Sequence, residues 1–375
     1  MANNSRLTYI TSATFPALKA SSVQVMQMCA AFAAAGALVK LVTPGANTDA
    51  DVFAHYGVAP TFNFESRNWP RTPRAADVFQ ARAAFAEHGS DWICYARGRD
   101  LTAPMIALLR GAKAAVEVHG RPATARERIT LNWIARHPRG RLIAISEPLK
   151  EIYKREFGLS VHAAPDGVDL SRFDPPLTAA DARQRVGLDS GPWAVYVGGL
   201  YEGRGLESLF AAVASLPIKL LIVGGRDERE VAAWRERAQS AGAAQARFEG
   251  YQPPARVPLY LFAADVLVMP YTARTLTPSG EDTTAWMSPL KLYEYLAAGR
   301  PIVATDLPAL RSVLSHEDTA LLTPPDDAAG LRLAMERLLN DSTLAARLAA
   351  NARAKAKDHT WVGRAKHILE LMSFG

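Results

Sequence analysis

Cysteine is nearly absent: Cys29 and Cys94 are the only two in 375 residues. Two thiols far apart in a chain of this size exclude a disulfide scaffold and a cysteine-based zinc site, and they fit a reducing compartment. Long apolar runs are missing as well. The longest, Met28 to Val39, is alanine-rich and falls well short of the ~20 residues that span a bilayer. The opening M-A-N-N-S-R-L-T-Y-I carries neither the basic nor the apolar region of a secretory signal. A cytoplasmic location is expected, at most peripheral on the inner face of the membrane. No metal-ligand spacing occurs. Asp49-Ala50-Asp51 falls in an expected surface loop and reads as solvated charge. Short repeats, heptads and low-complexity tracts are also lacking.

What charge there is sits unevenly. The formal balance is +6, and residues 1–175 hold all of it, with 21 Lys+Arg against 15 Asp+Glu. Arg121, Arg126, Arg128, Arg136, Arg139 and Arg141 form its densest stretch. Such a field suits an anionic acceptor or an acidic membrane surface, although an ordinary solvated face has the same composition. Nucleic acid is not an expected partner, because the basic stretch contains no recognisable binding module.

The length exceeds the ~250–300 residues at which one core stops growing, so two domains are expected. The first series begins with a strand at Leu7 to Ser12, a loop at Ala13 to Ser22, a helix at Val23 to Ala35 and a strand at Leu38 to Val42. That is a βαβ unit, which implies a parallel sheet. Its first turn reads A-S-S and lacks the G-x-G-x-x-G of dinucleotide folds, which argues against a dehydrogenase. The alternation resumes at Trp92 to Ala96, Leu101 to Leu109 and Ala114 to Val118, the last ending at His119. Glu117 lies two residues earlier on the same strand face. His119 is placed either for chemistry at a carboxyl strand edge or as a satisfied core histidine. After Pro165-Asp166-Gly167-Val168-Asp169 a second complete βα series follows, with strands expected at Trp193 to Gly198, Lys219 to Val223, Val266 to Pro270 and Ile302 to Thr305. The fold class expected is therefore α/β, with two Rossmann-like, doubly wound parallel-sheet domains whose carboxyl strand edges face a central cleft. Ligands bind at such edges.

Ser288 to Gly299 organises the second half. Ser288 reads as a helix N-cap, Pro289 as the first helical residue and Gly299 as the C-terminal stop. Leu292, Tyr295 and Leu296 share one face. Lys291 opposes the helix dipole by its position in the first turn, a mismatch that a bound phosphate would reverse. Glu294 lies one turn on and either reaches the same ligand or pairs with Lys291 at the surface.

Together these segments resemble the GT-B superfamily of retaining nucleotide-sugar glycosyltransferases, specifically the glycosyl transferases group 1 family (family 4-like). The resemblance rests on Val197-Gly198-Gly199 with Gly205, on Pro165 to Asp169 with Phe173, on Ala264-Asp265-Val266 before Pro270, and on Ser288 to Pro301 with Glu294. Ser21, Ser22, His119 and Ser146 match more loosely. It implies domains at 1–170 for the acceptor side and 171–357 for the nucleotide sugar, with 358–375 as a helix crossing back to the first. It further implies that Glu294 holds the donor ribose, Arg204 neutralises the diphosphate, and Tyr251 borders the base. By the same resemblance, Ser21, Ser22, Gly198, Gly199, Ser288, Pro289, Leu290 and Lys291 surround the donor, and His119 meets its sugar. The catalytic set so implied is His119, Arg204 and Lys291, with no metal and no cofactor beyond the nucleotide-sugar substrate. The departing phosphate would take the acceptor proton itself.

Two positions depart from the family pattern. Gly199 stands where an arginine is usual, and Lys291 is read as supplying that charge. Trp286 stands where a glutamate is usual, so that residue's part falls to another group, such as Glu281 or Asp282, or to none. The expected reaction is transfer from a UDP- or GDP-sugar to a glycan or lipid-linked acceptor. A GT-B 2-epimerase and an inactive nucleotide-sugar-binding subunit are the alternatives.

Overall fold

The computed structural model describes residues 5–45, 51–69, 75–89, 91–277 and 280–373. It divides into two compact units: the first runs to Asp166 and resumes at Trp361, and the second spans Gly167–Thr360.

The first unit is built on β1 (Arg6–Ile10), β2 (Leu38–Pro44), β3 (Asn63–Arg67), β4 (Trp92–Arg97), β5 (Lys113–Val118), β6 (Gly140–Ala144) and β7 (His162–Ala163). All are parallel, in the order β3-β2-β1-β4-β5-β6-β7. β4 and β5 have every residue buried except one at an end, as strands covered on both faces require. Strand order reverses between β1 and β4, which makes that crevice the topological switch point.

The helix expected from Val23 begins earlier, at Ala20, and runs to Ala34. Ser21 and Ser22 are thus in its first turn and not in the preceding loop. Lys19 is the N-cap without a side-chain bond; its carbonyl accepts from the Ser22 amide at 2.9 Å, closing the turn. Burial of Ser22, Val25, Met26, Cys29 and Phe32 decides the boundary over the weak helix preference of paired serines. Arg126, Arg128 and Arg136 of the arginine-rich stretch lie on a helix, Ala125–Arg136, and Arg141 on β6. Thr124 caps that helix by accepting from the Glu127 amide at 3.1 Å, and Glu127 reaches back to the Ala123 amide at 2.9 Å. Asp51 caps a short helix, Val52–Tyr56; Asp49 and Ala50 lie outside the described residues. The closing helix, Trp361–Ser373, packs on Ala20–Ala34.

The second unit contains β8 (Trp193–Val197), β9 (Lys219–Val223), β10 (Arg247–Phe248), β11 (Val266–Met269), β12 (Ile302–Thr305) and β13 (Leu321–Thr323). Their order is β10-β9-β8-β11-β12-β13, again wholly parallel, with the reversal between β8 and β11. Alternate residues of β8 serve two cores. Trp193, Val195 and Val197 pack with Leu292 and Leu296, while Ala194 and Tyr196 pack with Leu206 and Phe210.

Candidate active site

The crevice between β8 and β11 collects most of the second-unit residues singled out by the sequence. The helix Leu290–Ala298 lies over it, held by the Tyr295 phenol, which accepts from the Val197 amide at 2.9 Å and donates to the Val268 carbonyl at 3.4 Å. One side chain therefore fastens the helix to both strands of the switch point. The helix starts at Leu290, with Pro289 as N-cap and no side-chain cap. Ser288 is not the cap: its hydroxyl instead bonds the Tyr293 phenol at 3.1 Å. A proline cap cannot bond the amides of the first turn through its side chain, so Leu290 and Lys291 begin an uncapped helix start of the kind that receives anions.

Lys291 is buried at its tip. Its Nζ has no hydrogen-bond partner among the described residues and sits 3.9 Å from the centre of the Tyr196 ring and 5.2 Å from that of Tyr271. Arg204 shares the second ring: its guanidinium carbon is 5.1 Å from the Tyr271 centroid and 4.3 Å from that of Tyr201, whose hydroxyl accepts from it. The two basic groups expected at the diphosphate thus both lie close to the Tyr271 ring. Burial first, then the charge of Arg204, holds the Lys291 ammonium well below the usual lysine range, and Glu294 only partly opposes this. A buried amino group beside a guanidinium, with no hydrogen-bond partner among the described residues, is costly to charge.

The glycines make room for it. A Cβ on Gly198 would stand 2.5 Å from Lys291 Nζ, and one on Gly199 would stand 2.4 Å from the Tyr201 ring. Gly205 combines φ of +67° with a carbonyl, that of Pro270, only 1.5 Å from where a Cβ would be.

Glu294, half-buried, does not pair with Lys291. Its Oε1 accepts from Arg172 Nη1 at 3.4 Å. Burial raises its carboxyl above the ordinary value, with Arg172 and then Lys291 pulling it back. The surface Lys291–Glu294 pair is therefore not formed, because Arg172 takes the carboxylate from the other side. Arg172 also donates to the Pro254 carbonyl, beyond the turn that holds Tyr251 and Gln252. Sequence reasoning passed over Arg172; its one signal was a charge set between the turn at Asp169 and the buried Phe173. Trp286 is buried, and Asp282 is occupied by Thr284 (2.6 Å) and Arg274 (3.5 Å).

In the first unit, His119 follows β5 and both ring nitrogens are engaged. Nε2 lies 2.5 Å from Glu117 Oε1 and Nδ1 lies 3.1 Å from Arg97 Nη2. An arginine can only donate, so Nδ1 accepts and Nε2 carries the proton. Burial and then Arg97 lower the imidazole to about 4, so the ring is neutral at pH 7. Glu117 is wholly buried and also receives Gln24 Nε2 at 2.6 Å, the Tyr95 hydroxyl at 2.7 Å and Arg364 Nη2 at 2.6 Å. Burial opposes its charge, but Arg364, His119 and Arg97 together keep it well below the carboxylate range. Arg364, from the closing helix, stands 3.9 Å from Asp166 as well. Burial lifts Asp166 to about 7. Ser22 is buried beside the Tyr56 phenol, and Ser146 caps the helix Glu147–Phe157. Near the β1–β4 switch point, Asp100 accepts from the Ser12 hydroxyl at 2.6 Å, the Thr11 hydroxyl at 3.0 Å and Gln80 at 2.9 Å. Among the described residues, no group of three His, Cys, Asp or Glu is placed to hold a metal, and no helix is long and apolar enough to cross a membrane.

Two doubly wound parallel-sheet units are the GT-B architecture, and solved structures of that class superimpose on the chain. Sucrose-phosphate synthase from Thermosynechococcus elongatus does so with a TM-score of 0.75 at 22% identity, covering 98% of both chains. Anabaena Alr3699/HepE, solved in complex with UDP and glucose, gives 0.74 at 17% identity over 98% of this chain and 99% of that one. Residues 21–172 match the model described as Glycosyltransferase Family 4, and residues 191–341 match Glycosyl transferases group 1. The two matches follow one another along the chain without overlap. Phosphatidyl-myo-inositol mannosyltransferase of Mycolicibacterium smegmatis is 32% identical over 226 residues, 58% of this chain and 53% of that protein. D-inositol 3-phosphate glycosyltransferase of Jonesia denitrificans is 28% identical, over 54% of this chain and 48% of that protein. The chain spans about half the length of these curated relatives.

Proposed function

We propose that the protein is a hexosyltransferase that moves a sugar from a UDP- or GDP-sugar to a glycan or lipid-linked acceptor, with retention and without a metal. The observation that carries this reading is the buried Lys291 ammonium, unpartnered beside Arg204 at the start of an uncapped helix. Sugar–phosphate cleavage builds negative charge on the leaving diphosphate, and two fixed cations with helix amides stabilise it in place. Glu294 takes the ribose hydroxyls, Tyr251 borders the base, and Gly198 and Gly199 let the backbone approach. His119, neutral and proton-fixed, is assigned to the donor sugar with Ser21 and Ser22 nearby in the first unit. A cytoplasmic enzyme touching an acidic membrane through its basic half suits a lipid-linked acceptor. The names of the matched relatives support hexosyl transfer, and the UDP and UDP-glucose complexes of structural neighbours support a nucleotide-sugar donor.

The test is calorimetric titration with UDP, GDP and their sugars, followed by NMR of the product in EDTA. Nucleoside diphosphate binding weakened at least tenfold in Lys291→Ala, about 1.4 kcal/mol, is the expected result. Donor conversion without acceptor would establish an epimerase instead, and binding without any turnover a non-catalytic subunit.

A further inference from the structure

Arg172 sits in the 3-10 helix Leu170–Phe173, with only 10% of its side chain exposed. That short turn is firmly based. Asp169 caps it by accepting from the Ser171 amide at 3.0 Å, and the buried Phe173 ring lies 5.8 Å from that of Phe262. Arg353 bonds the Phe173 carbonyl at 3.2 Å and the Ala297 carbonyl at 3.1 Å, tying the turn to the end of the helix that carries Glu294. From this base the Arg172 guanidinium reaches two places at once, the Glu294 carboxylate and the Pro254 carbonyl. Its planar fork can serve both without bending, which a lysine ammonium on a flexible stem cannot do.

The chemistry of the carboxylate explains the need. A ribose diol presents two hydroxyl donors, and an ionised carboxylate meets them with strong acceptors on both oxygens, whereas protonation turns one oxygen into a donor. Glu294 is in surroundings where burial favours its proton, which would remove one acceptor. Arg172 supplies the facing charge and spends a single lone pair of Oε1. We propose that Arg172 is a positioning residue that keeps Glu294 charged and aimed at the ribose, so that the pair discriminates a ribonucleotide from its 2′-deoxy form. This rests on the nucleotide-donor reading above.

The test is calorimetry on the full chain with UDP, GDP, the 2′-deoxy form of each, and inorganic pyrophosphate, for the wild type, Arg172→Ala and Arg172→Lys. Wild type is expected to prefer the ribonucleotide by about tenfold or more, the size of a hydrogen bond to a charged group. Arg172→Ala should reduce that preference to about threefold or less while pyrophosphate binding is unchanged. Arg172→Lys, which keeps the charge and guards against a folding defect in the alanine variant, should recover part of it. A ribose preference undiminished in the variants overturns the assignment, as does equal binding of ribo and deoxy forms by the wild type. In both cases the donor reading survives. Failure of the wild type to bind either nucleotide overturns the donor reading, and this assignment with it.

Discussion

Lys291→Met separates the cost of burying the lysine nitrogen from its proposed role toward an anion. Methionine matches the lysine stem in reach as far as the ε position, with sulfur in place of Cδ and no terminal nitrogen, so packing against Tyr196 and Gly198 is largely kept. In the wild type that nitrogen has no partner among the described residues. An unsatisfied buried polar group costs about 1–3 kcal/mol. Charging the amine would add desolvation of several kcal/mol, which a buried cation–π contact at 3.9 Å, worth about 2 kcal/mol, offsets only in part. The net expectation is that the ligand-free variant gains about 1–2 kcal/mol. For a unit of this size that corresponds to about 2–8 °C in melting temperature. Calorimetric melting without nucleotide, paired with a nucleoside diphosphate titration, should show higher stability and weaker binding in the same variant. A lower melting temperature would refute the desolvation argument, and unchanged affinity would refute the anion site. The pH dependence has a definite sign. Binding an anion raises the depressed lysine pKa, so binding takes up a proton. Affinity should therefore fall as pH rises from the depressed value toward the ordinary 10.5.

Three further outcomes follow from the same reasoning. Glu117→Ala should cost about 3–5 kcal/mol in urea unfolding, because Arg364 is left charged and buried; the loss should deepen in Glu117→Ala/Asp166→Asn, where neither acid remains near it. Gly205→Ala should lose about 3–5 kcal/mol or fail to give soluble protein, whereas Gly250→Ala, also at positive φ (+64°) but with nothing within 4 Å, should lose only about 1–2 kcal/mol. His119 and Asp166 give opposite pH slopes. The imidazole is lowered to about 4 from 6.5, so its contribution is present above pH 6.5 and lost on acidification toward 4. The Asp166 carboxyl is raised from 3.8 to about 7, so stability falls as pH rises across that range. Unfolding between pH 7 and 5 should show His119→Gln losing less stability than wild type on acidification, and Asp166→Asn losing more.

Much of the architecture was legible because it is written in local pattern. β8, β9 and β12 fall where buried apolar runs put them, and Gly299 ends the helix Leu290–Ala298 as its place in the pattern implies. The region between Asp51 and Trp92 was not, since β3 is half-buried and the helix Ala75–Phe85 has almost no apolar stripe. Thr124 and Glu127 spelled a capping box that a reading of the stretch as charge alone overlooked. Single residues of the candidate site were recognisable by type: glycines after a strand, a lysine in a first helical turn, a carboxylate one turn on. Their partners were not. Arg172 reaches Glu294 across 122 positions and Arg364 reaches Glu117 across 247. The sequence by itself determined which segments become strands and helices, because those choices depend on neighbours within a few residues. Only the tertiary structure decided which charges are paired and which side-chain nitrogen is buried without a hydrogen bond among the described residues, because burial and charge pairing depend on what the fold brings close.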